Sequence, residues 1–279
     1  MPDTESLSYC GREVWRHDRD RFLTVMFAPE DLREPLFALY AFNLEVAKAR
    51  EVVSEPMMGR IRLQWWRDAM DGIFAGNPPR HEVAEPLSEA ALHHGLPRET
   101  FDRLLDAREF DMEDEAPETM EDLIAYARDT SSTLCDLVAG VLGGGDQEAT
   151  EAAGIAWSLS GLLRAVPFHA RAKRLYLPRD RVKAAGLKVG DLFELRSSDA
   201  LREVVAEVAA VARRALADSR RRRGSVPRRI LPAVMPATLA AGDLRRLRRA
   251  RHDPFDARLQ RDPAGRVMRL FAAAATGRY

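Results

Sequence analysis

The sequence predicts an all-α protein, and three observations lead to that prediction. Ala, Leu, Arg and Glu dominate the chain, and all four residue types favour helices. Apolar residues recur at intervals of three and four positions, as they do along one face of a helix. The sequence lacks stretches in which apolar and polar residues alternate, as they do in a half-buried strand. We therefore expect a single all-α domain over residues 1–279.

Five helices are predicted before residue 115, at residues 18–27, 29–53, 56–75, 83–94 and 98–114. Pro29 and Pro56 suit the first turn of a helix because that turn needs no backbone N–H donor. Asn77 and the two prolines after it end the third helix. The apolar face of that helix is expected to carry Ile61, Trp65, Trp66, Ala69 and Phe74.

The second half of the chain is predicted to begin with a long apolar helix at residues 121–142, which three glycines end. Another long helix is expected at residues 148–171, followed by an extended segment around Tyr176, Leu177 and Pro178. Residues 201–223 form an amphipathic pattern, and residues 226–241 should be a helix broken by prolines. A last helix is expected at residues 266–275.

The charges are balanced overall but separated along the chain. Residues 1–140 contain 15 Lys and Arg against 29 Asp and Glu, and residues 141–279 contain 28 against 14. Arginine runs at residues 220–223, 228–229 and 245–251 are either a solvated face or a surface for anionic lipid or a partner protein. Aromatic residues do not interleave with these arginines, so nucleic acid is not expected as a partner.

The bulk features predict a cytoplasmic protein. No apolar run approaches the roughly 18–20 residues that span a bilayer, and the acidic start resembles neither a signal nor a transit peptide. Cys10 and Cys135 lack the spacing of a zinc site, which suggests a reducing compartment. The sequence shows no Ser-His-Asp order, no phosphate-binding loop of the Walker type and no GxGxxG motif. The acidic stretch at residues 111–115 is interpreted as the solvated end of a helix.

Two helical stripes are the candidate functional positions. On the helix that follows Pro29, three- and four-residue steps place six residues on one stripe: Leu36, Tyr40, Leu44, Ala47, Lys48 and Glu51. On the helix that ends near Arg171, the same spacing places four residues on one face: Arg164, Ala165, Phe168 and His169. The segment from Lys173 to Pro178 follows directly.

These two regions resemble the squalene and phytoene synthase family, which is all-α with a central cavity. The first anchor is the run at residues 37–42, which ends in Ala41 and Phe42; the second is Arg164 followed by Arg174, Tyr176, Leu177 and Pro178. In active members, one aspartate-rich motif follows the first anchor, another lies between the positions of Arg164 and Arg174, and both hold magnesium. The resemblance places the first-motif acids at Ala47, Lys48 and Glu51, and the second-motif acids at Ala165, Phe168 and His169. The motif glycine before Arg174 is replaced by Lys173.

The resemblance therefore implies the scaffold without its metal site, because five of the six acidic positions carry other residues. Mg²⁺ prefers hard oxygen ligands and bridges carboxylates to substrate phosphates, which Ala, Lys, Phe and His cannot do in this way. Glu51 alone remains acidic. Similar losses occur in a non-catalytic branch of the family that includes assembly factors of respiratory complex I. Residues 41–47, 58–66 and 165–169 fit that branch better than they fit the synthases.

The leading hypothesis is a catalytically silent family member that assists the assembly or stability of a membrane respiratory complex of the complex I type. It predicts no catalytic residue, no metal and no cofactor, and a protein client at a membrane, with the chain in the cytoplasm or at the inner-membrane surface. The alternatives are a prenyl-diphosphate transferase with an altered Mg²⁺ site and a protein that binds an isoprenoid or quinone tail. In a ligand-binding role, the expected contacts are Tyr40, Arg164, Arg174 and Tyr176.

Overall fold

The computed structural model describes residues 6–50, 56–113, 115–259 and 265–279. Within these ranges, every regular element is a helix, which confirms the predicted all-α class. The first six α-helices are α1 (Tyr9–His17), α2 (Arg19–Val25), α3 (Arg33–Ala47), α4 (Pro56–Phe74), α5 (Ala84–His93) and α6 (Arg98–Glu109). Helix α3 is buried on all sides between residues 36 and 43, so it forms the centre of this half.

The second half contains two long helices and several short ones. In order, they are α7 (Met120–Ala127), α8 (Thr133–Val141), α9 (Gln147–Arg171), α10 (Arg179–Ala184), α11 (Val189–Phe193), α12 (Asp199–Arg221), α13 (Leu231–Val234), α14 (Pro236–Arg249) and α15 (Arg266–Thr276). Helix α9 packs against α8, α12 and α14, so it connects the two halves of the molecule.

Side-chain caps explain where several helices begin. The Asp146 carboxylate accepts the backbone N–H of Ala149 at the start of α9, and the Ser198 hydroxyl accepts that of Leu201 at the start of α12. Helix α7 begins with a capping box in which Thr119 and Asp122 each accept the other's backbone N–H. These bonds satisfy N–H groups that the first turn of a helix leaves without partners.

The buried apolar side chains form two clusters. The first contains residues of α1 to α6 and α8, with Phe37, Phe42 and Phe101 among its largest members. The second contains residues of α7, α9 to α12, α14 and α15. Helix α13 contributes to both clusters, with Ala233 in the first and Val234 in the second.

The predicted helix at residues 121–142 is interrupted by a π-helical turn, Arg128–Ser132, between α7 and α8. Helix α9 crosses very closely at this turn. The Ser132 hydroxyl donates to the Glu151 carbonyl over 2.7 Å. A Cβ atom added to Gly154 would lie only 2.4 Å from the Ser132 Cα. A π turn bulges the backbone locally, and here the bulge meets a residue of α9 that lacks a side chain.

The predicted apolar face of α4 is wrong in part. Ile61 and Trp65 are exposed, at 54% and 38%, whereas Trp66 and Ala69 are buried as expected. The buried face instead follows Leu63, Trp66, Met70 and Ile73 at steps of three and four. Apolar residues lie on both sides of this helix, so periodicity alone does not identify the packed side.

Three short helices, α1, α10 and α11, are not predicted by the sequence pattern, and α14 runs to Arg249 instead of ending near residue 241. Short helices have few apolar repeats, so their pattern is hard to recognise. Among the described residues, no helix combines the length and the apolarity that crossing a membrane requires.

Candidate functional site

The first-motif positions lie where α3 ends. Ala47 is the last residue of α3, and the backbone N–H of Lys48 donates to the Leu44 carbonyl as the helix closes. Both side chains are half-buried. The third position, Glu51, lies outside the described residues. The two described first-motif positions therefore offer a methyl group and an ammonium group where the synthases have carboxylates.

The second-motif positions lie on the last two turns of α9. Ala165 is half-buried, and the Phe168 ring is 55% exposed. The His169 ring packs 4.5 Å from the Tyr176 ring, centre to centre. Burial lowers the pKa of His169 to about 4; Asp111 opposes the shift, and Arg174 adds to it. His169 is therefore neutral at pH 7, so it supplies no positive charge at the second motif.

The residues at these positions do not fit Mg²⁺. Magnesium needs a near-octahedral set of oxygen ligands, supplied in such sites by carboxylates and phosphates. The described positions supply two methyl groups, an ammonium, a phenyl ring and an uncharged imidazole. More widely, no group of three or more His, Cys, Asp or Glu side chains suited to a metal ion occurs within the described ranges.

A buried polar group, the Asp111 cluster (Arg108, Asp111, Tyr126 and Tyr176), lies between the two halves of the molecule. The hydroxyls of Tyr126 and Tyr176 both donate to Asp111 Oδ1 over 2.8 Å. Arg108 Nη1 donates to Asp111 Oδ2 over 3.1 Å and to the Tyr126 hydroxyl over 3.0 Å. Asp111 is 5% exposed, so its charge is neutralised by Arg108 and solvated by hydroxyl groups instead of water.

The Asp111 cluster connects the helices of both motifs. Arg108 Nη2 donates to the Asn43 side chain of α3 over 3.4 Å, and Arg174, just beyond α9, donates to the Asp111 carbonyl over 3.4 Å. Burial and the Asp111 charge raise the pKa of both tyrosines, so both stay protonated donors. Burial alone would lower the pKa of Arg108, but Tyr126 and Asp111 together raise it. These hydrogen bonds and charge states describe a fixed structural connection between α3 and the segment after α9.

Two small cavities adjoin the second motif. One, lined by His169, Arg174 and Tyr176 among apolar residues, has a volume of about 10 Å³. Another, beside Arg164 on the opposite flank of α9, has about 20 Å³. A cavity needs roughly 10–15 Å³ to hold one water molecule, so neither of these has room for a prenyl chain.

Arg164 makes its contacts away from the Asp111 cluster. Its Nη1 atom lies 3.2 Å from Asp20 Oδ2 and 3.0 Å from Asp243 Oδ2. Arg266 binds the same two carboxylates from α15. Four side chains thus join α2, α9, α14 and α15 in one ion-pair network. Arg164 therefore has carboxylate partners within the chain, and its predicted ligand contact stays a prediction.

Of the four predicted ligand-binding residues, the structure brings Arg174 and Tyr176 together at the Asp111 cluster. Tyr40 is buried in α3, where the Arg21 guanidinium lies 5.6 Å from its ring centre. Arg21 is itself paired with Asp18 over 2.8 Å. Tyr40 and Arg164 therefore have structural partners on α2 and its neighbours.

Sequence reasoning misses the central residues of the cluster. The pattern indicates a solvated helix end at Asp111, but Asp111 and Met112 are buried and form a short 3₁₀ turn after α6. The partners of Asp111 lie 15 and 65 positions away in the sequence. In the sequence, the one indication that Asp111 has a partner is Arg108, which lies three positions earlier on the same helical face.

Much of the arginine-rich region is bound internally. Arg222 pairs with Asp146 and Glu148, and Arg229 donates to the Gly143 carbonyl. Arg220 and Arg223 both donate to the main-chain oxygen of Tyr279, whose ring is buried. These bonds fasten the end of α12 to the loop before α9 and to the last described segment. The arginine runs are thus only partly a free surface.

Comparisons with known proteins agree with the family resemblance and with the all-α fold. Residues 14–267 match the sequence model of a family described as squalene/phytoene synthase. The chain is similar to a Bos taurus protein named NADH dehydrogenase (ubiquinone) complex I, assembly factor 6, with 31% identity over 274 residues; these cover 97% of this chain and 82% of the relative. A presqualene diphosphate synthase of Sinorhizobium fredii (strain NBRC 101917 / NGR234) is 28% identical over 228 residues, covering 77% of this chain and 78% of that protein.

Among solved structures, a dehydrosqualene synthase in complex with a ligand superposes with a TM-score of 0.82 at 18% identity. The match covers 96% of this chain and 94% of that one. At this identity, the likeness shows a shared fold and nothing about activity.

Proposed function

Because the chain belongs to the squalene/phytoene synthase family, we propose that it is a catalytically silent member that assists the assembly or stability of a membrane respiratory complex of the complex I type. The observation that carries the proposal is the composition of the two motifs. Ala47, Lys48, Ala165, Phe168 and His169 stand where the family's metal chemistry needs carboxylates.

The chemistry of prenyl transfer explains why these replacements matter. A departing diphosphate must be neutralised, and aspartate-bound Mg²⁺ supplies the charge in active members. Lys48 could contact one phosphate, but a single ammonium replaces only part of that charge. At the second motif, the neutral His169 packs against Tyr176, and the adjoining cavity is about 10 Å³. The described motif positions therefore do not supply the charge that turnover of a prenyl diphosphate requires.

The extent of the similarity supports the assembly role. The Bos taurus assembly factor matches 97% of this chain, whereas the Sinorhizobium fredii synthase matches 77% at lower identity. The proposal includes a protein client at a membrane and a site of action in the cytoplasm, at the inner-membrane surface. Contact with anionic lipid would come from arginines whose side chains keep no internal partner within the described ranges, such as Arg251, which is exposed.

The decisive test combines a deletion with a biochemical assay. Deleting the gene in the organism that carries it should reduce the amount of assembled complex I on native gels and the matching NADH oxidation in membranes. The wild-type gene should restore both. Variants Glu51→Ala and His169→Ala should also restore both, because the proposal gives these remnant positions no chemical role.

The purified protein should release no diphosphate from farnesyl or geranylgeranyl diphosphate, with or without Mg²⁺, beside an active synthase as the positive control. Magnesium-dependent release would make the chain a transferase and overturn its assignment as catalytically silent. Normal complex I in the deletion strain would overturn the assembly role. Thermal stabilisation by a prenyl diphosphate without release, and not by diphosphate ion alone, would instead favour a ligand-binding role.

A further inference from the structure

A pocket between α12 and α14 is lined by four arginines. Arg213 and Arg220 lie seven positions apart on α12, and Arg245 and Arg248 lie three positions apart on α14, so each pair shares a helical face. Apolar side chains complete the lining: Leu216, Ala241 and Leu244. The pocket has a volume of about 160 Å³, well above the roughly 10–15 Å³ that one water needs.

No carboxylate of the described residues lines this pocket, and none of its four arginines forms an ion pair with an Asp or Glu in the described ranges. Arg220 donates through Nε to the Tyr279 main-chain oxygen over 2.7 Å, and Arg245 donates through Nε to the Ala241 carbonyl over 3.2 Å. Both bonds use Nε, so the terminal nitrogens of these two guanidinium groups remain available for a ligand. The arrangement differs from that of the neighbouring Arg221 and Arg222, which pair with Asp218 and Glu148.

The surroundings of the pocket are also cationic. Burial lowers the pKa of Arg220, and the charges of Arg223 and Arg245 lower it further. Burial, then Arg213 and Arg248, likewise lower the pKa of His252. Positive charges held close together repel one another, and a bound anion removes that repulsion.

We propose that this pocket binds a phosphate group. The planar guanidinium fork matches phosphate oxygens with paired hydrogen bonds, and a tetrahedral group can accept donors from α12 and α14 at once. A single carboxylate has two oxygens and one charge, so it would satisfy fewer of the four arginines. The lining contains no aromatic side chain among the described residues on which a base could stack, which argues against single-stranded nucleic acid. The phosphate could belong to a soluble compound or to a phospholipid headgroup. The site is remote from both motifs in sequence and does not depend on the proposed assembly role.

The full-length protein tests the proposal at low ionic strength in a buffer free of phosphate and sulfate. Diphosphate ion, titrated calorimetrically, probes the soluble source. Phosphatidylcholine vesicles with and without phosphatidic acid probe the lipid source. The test variant is Arg213→Gln with Arg248→Gln. The matched control is Arg214→Gln with Arg249→Gln, which removes the same charge from neighbouring exposed positions on the same helices.

We expect the wild type to bind diphosphate, phosphatidic-acid vesicles or both. The pocket pair should weaken that binding about tenfold or more, and the control pair by less than about twofold. Without an anion, the pocket pair should also melt at a higher temperature than the wild type, because two repelling charges are gone. Binding of diphosphate alone would identify a soluble ligand, and binding of vesicles alone a headgroup. Failure of the wild type to bind either probe, or an equal loss in both variant pairs, would overturn the proposal.

Discussion

Lys173 holds a backbone conformation that residues other than glycine rarely adopt. Its φ angle is +53°, directly after the end of α9. The backbone N–H of Lys173 donates to the Ala170 carbonyl, and that of Arg174 donates to the His169 carbonyl. This pair of bonds is the Schellman arrangement, which usually has glycine at the left-handed position. The synthase motif has glycine here too, so the chain keeps the turn without the residue that best suits it.

We expect Lys173→Gly to raise the free energy of unfolding by about 1 kcal/mol, because glycine lacks the Cβ clash of the left-handed conformation. Chemical denaturation measures the change. Lys173→Ala is the control: it removes the same charge but retains the strained Cβ, so it should give no comparable gain. Equal stabilisation by both variants would attribute the effect to charge.

His169 should make stability depend on pH. Its folded pKa of about 4 lies below the ordinary value of 6.5, so between these values the unfolded chain binds a proton that the folded chain does not. The free energy of unfolding should therefore fall as the pH drops from 6.5 to 4, by at most about 1.4 kcal/mol per pH unit from this residue. In His169→Gln, unfolding measured across this range should show a shallower slope. A slope identical to that of the wild type would contradict the burial of this imidazole.

The amino-acid sequence reveals the role of some of these residues and not of others. The identities of Ala47, Ala165 and Phe168 align with a known motif, so the amino-acid sequence by itself reveals the loss of carboxylates. It does not reveal the buried state of Asp111, since a run of acids before a proline normally indicates solvent. Hydrogen bonds from Tyr126 and Tyr176 stabilise Asp111 in its buried position. Only the tertiary packing brings these three residues together.

At the scale of the helices, a close backbone approach that requires glycine lies between α9 and the π turn Arg128–Ser132. A Cβ added to Gly154 would lie 2.4 Å from the Ser132 Cα and 2.6 Å from its backbone nitrogen. Backbone atoms cannot rotate away as a side chain can, so the two elements would have to separate.

We expect Gly154→Ala to destabilise the protein by about 3 kcal/mol or more, as judged by thermal and chemical unfolding. Gly161→Ala is a matched control in the same helix, where an added Cβ meets no atom within 4 Å. It should be neutral or stabilising by up to about 1 kcal/mol, because alanine favours a helix interior. Similar losses in both variants would show that the close contact is not what makes Gly154 necessary.

Long helices are easier to predict from the sequence than short ones. Helices α9 and α12 repeat their apolar pattern many times, and the predicted bounds of both agree with the structure to within a few residues. Helix α11 has five residues and offers hardly one repeat. The predicted face of α4 is wrong because Ile61 and Trp65 are apolar but exposed, and only the packed neighbours decide which side is buried.

For the whole molecule, the proposed catalytic silence rests on two separate features: the missing carboxylates at the described motif positions and the cavity of about 10 Å³ beside His169 and Tyr176. The sequence reveals the first but not the second, because cavity volume depends on how all the helices pack. The Asp111 cluster joins α3, α6, α7 and the segment after α9, so its hydrogen bonds resist any opening between these elements.

The two features can be separated by restoring the carboxylates. A variant with five changes puts acids back at the described motif positions: Ala47→Asp, Lys48→Asp, Ala165→Asp, Phe168→Glu and His169→Asp. If the packing also prevents catalysis, this variant should still release no diphosphate from farnesyl diphosphate in the presence of Mg²⁺. Circular dichroism and the melting temperature would confirm that it folds. Release of diphosphate would mean that the scaffold still admits substrate and that the carboxylates alone were lost. If a folded variant still releases no diphosphate, the space between the helices has closed as well. Restoring the metal-binding carboxylates cannot by itself reverse that change.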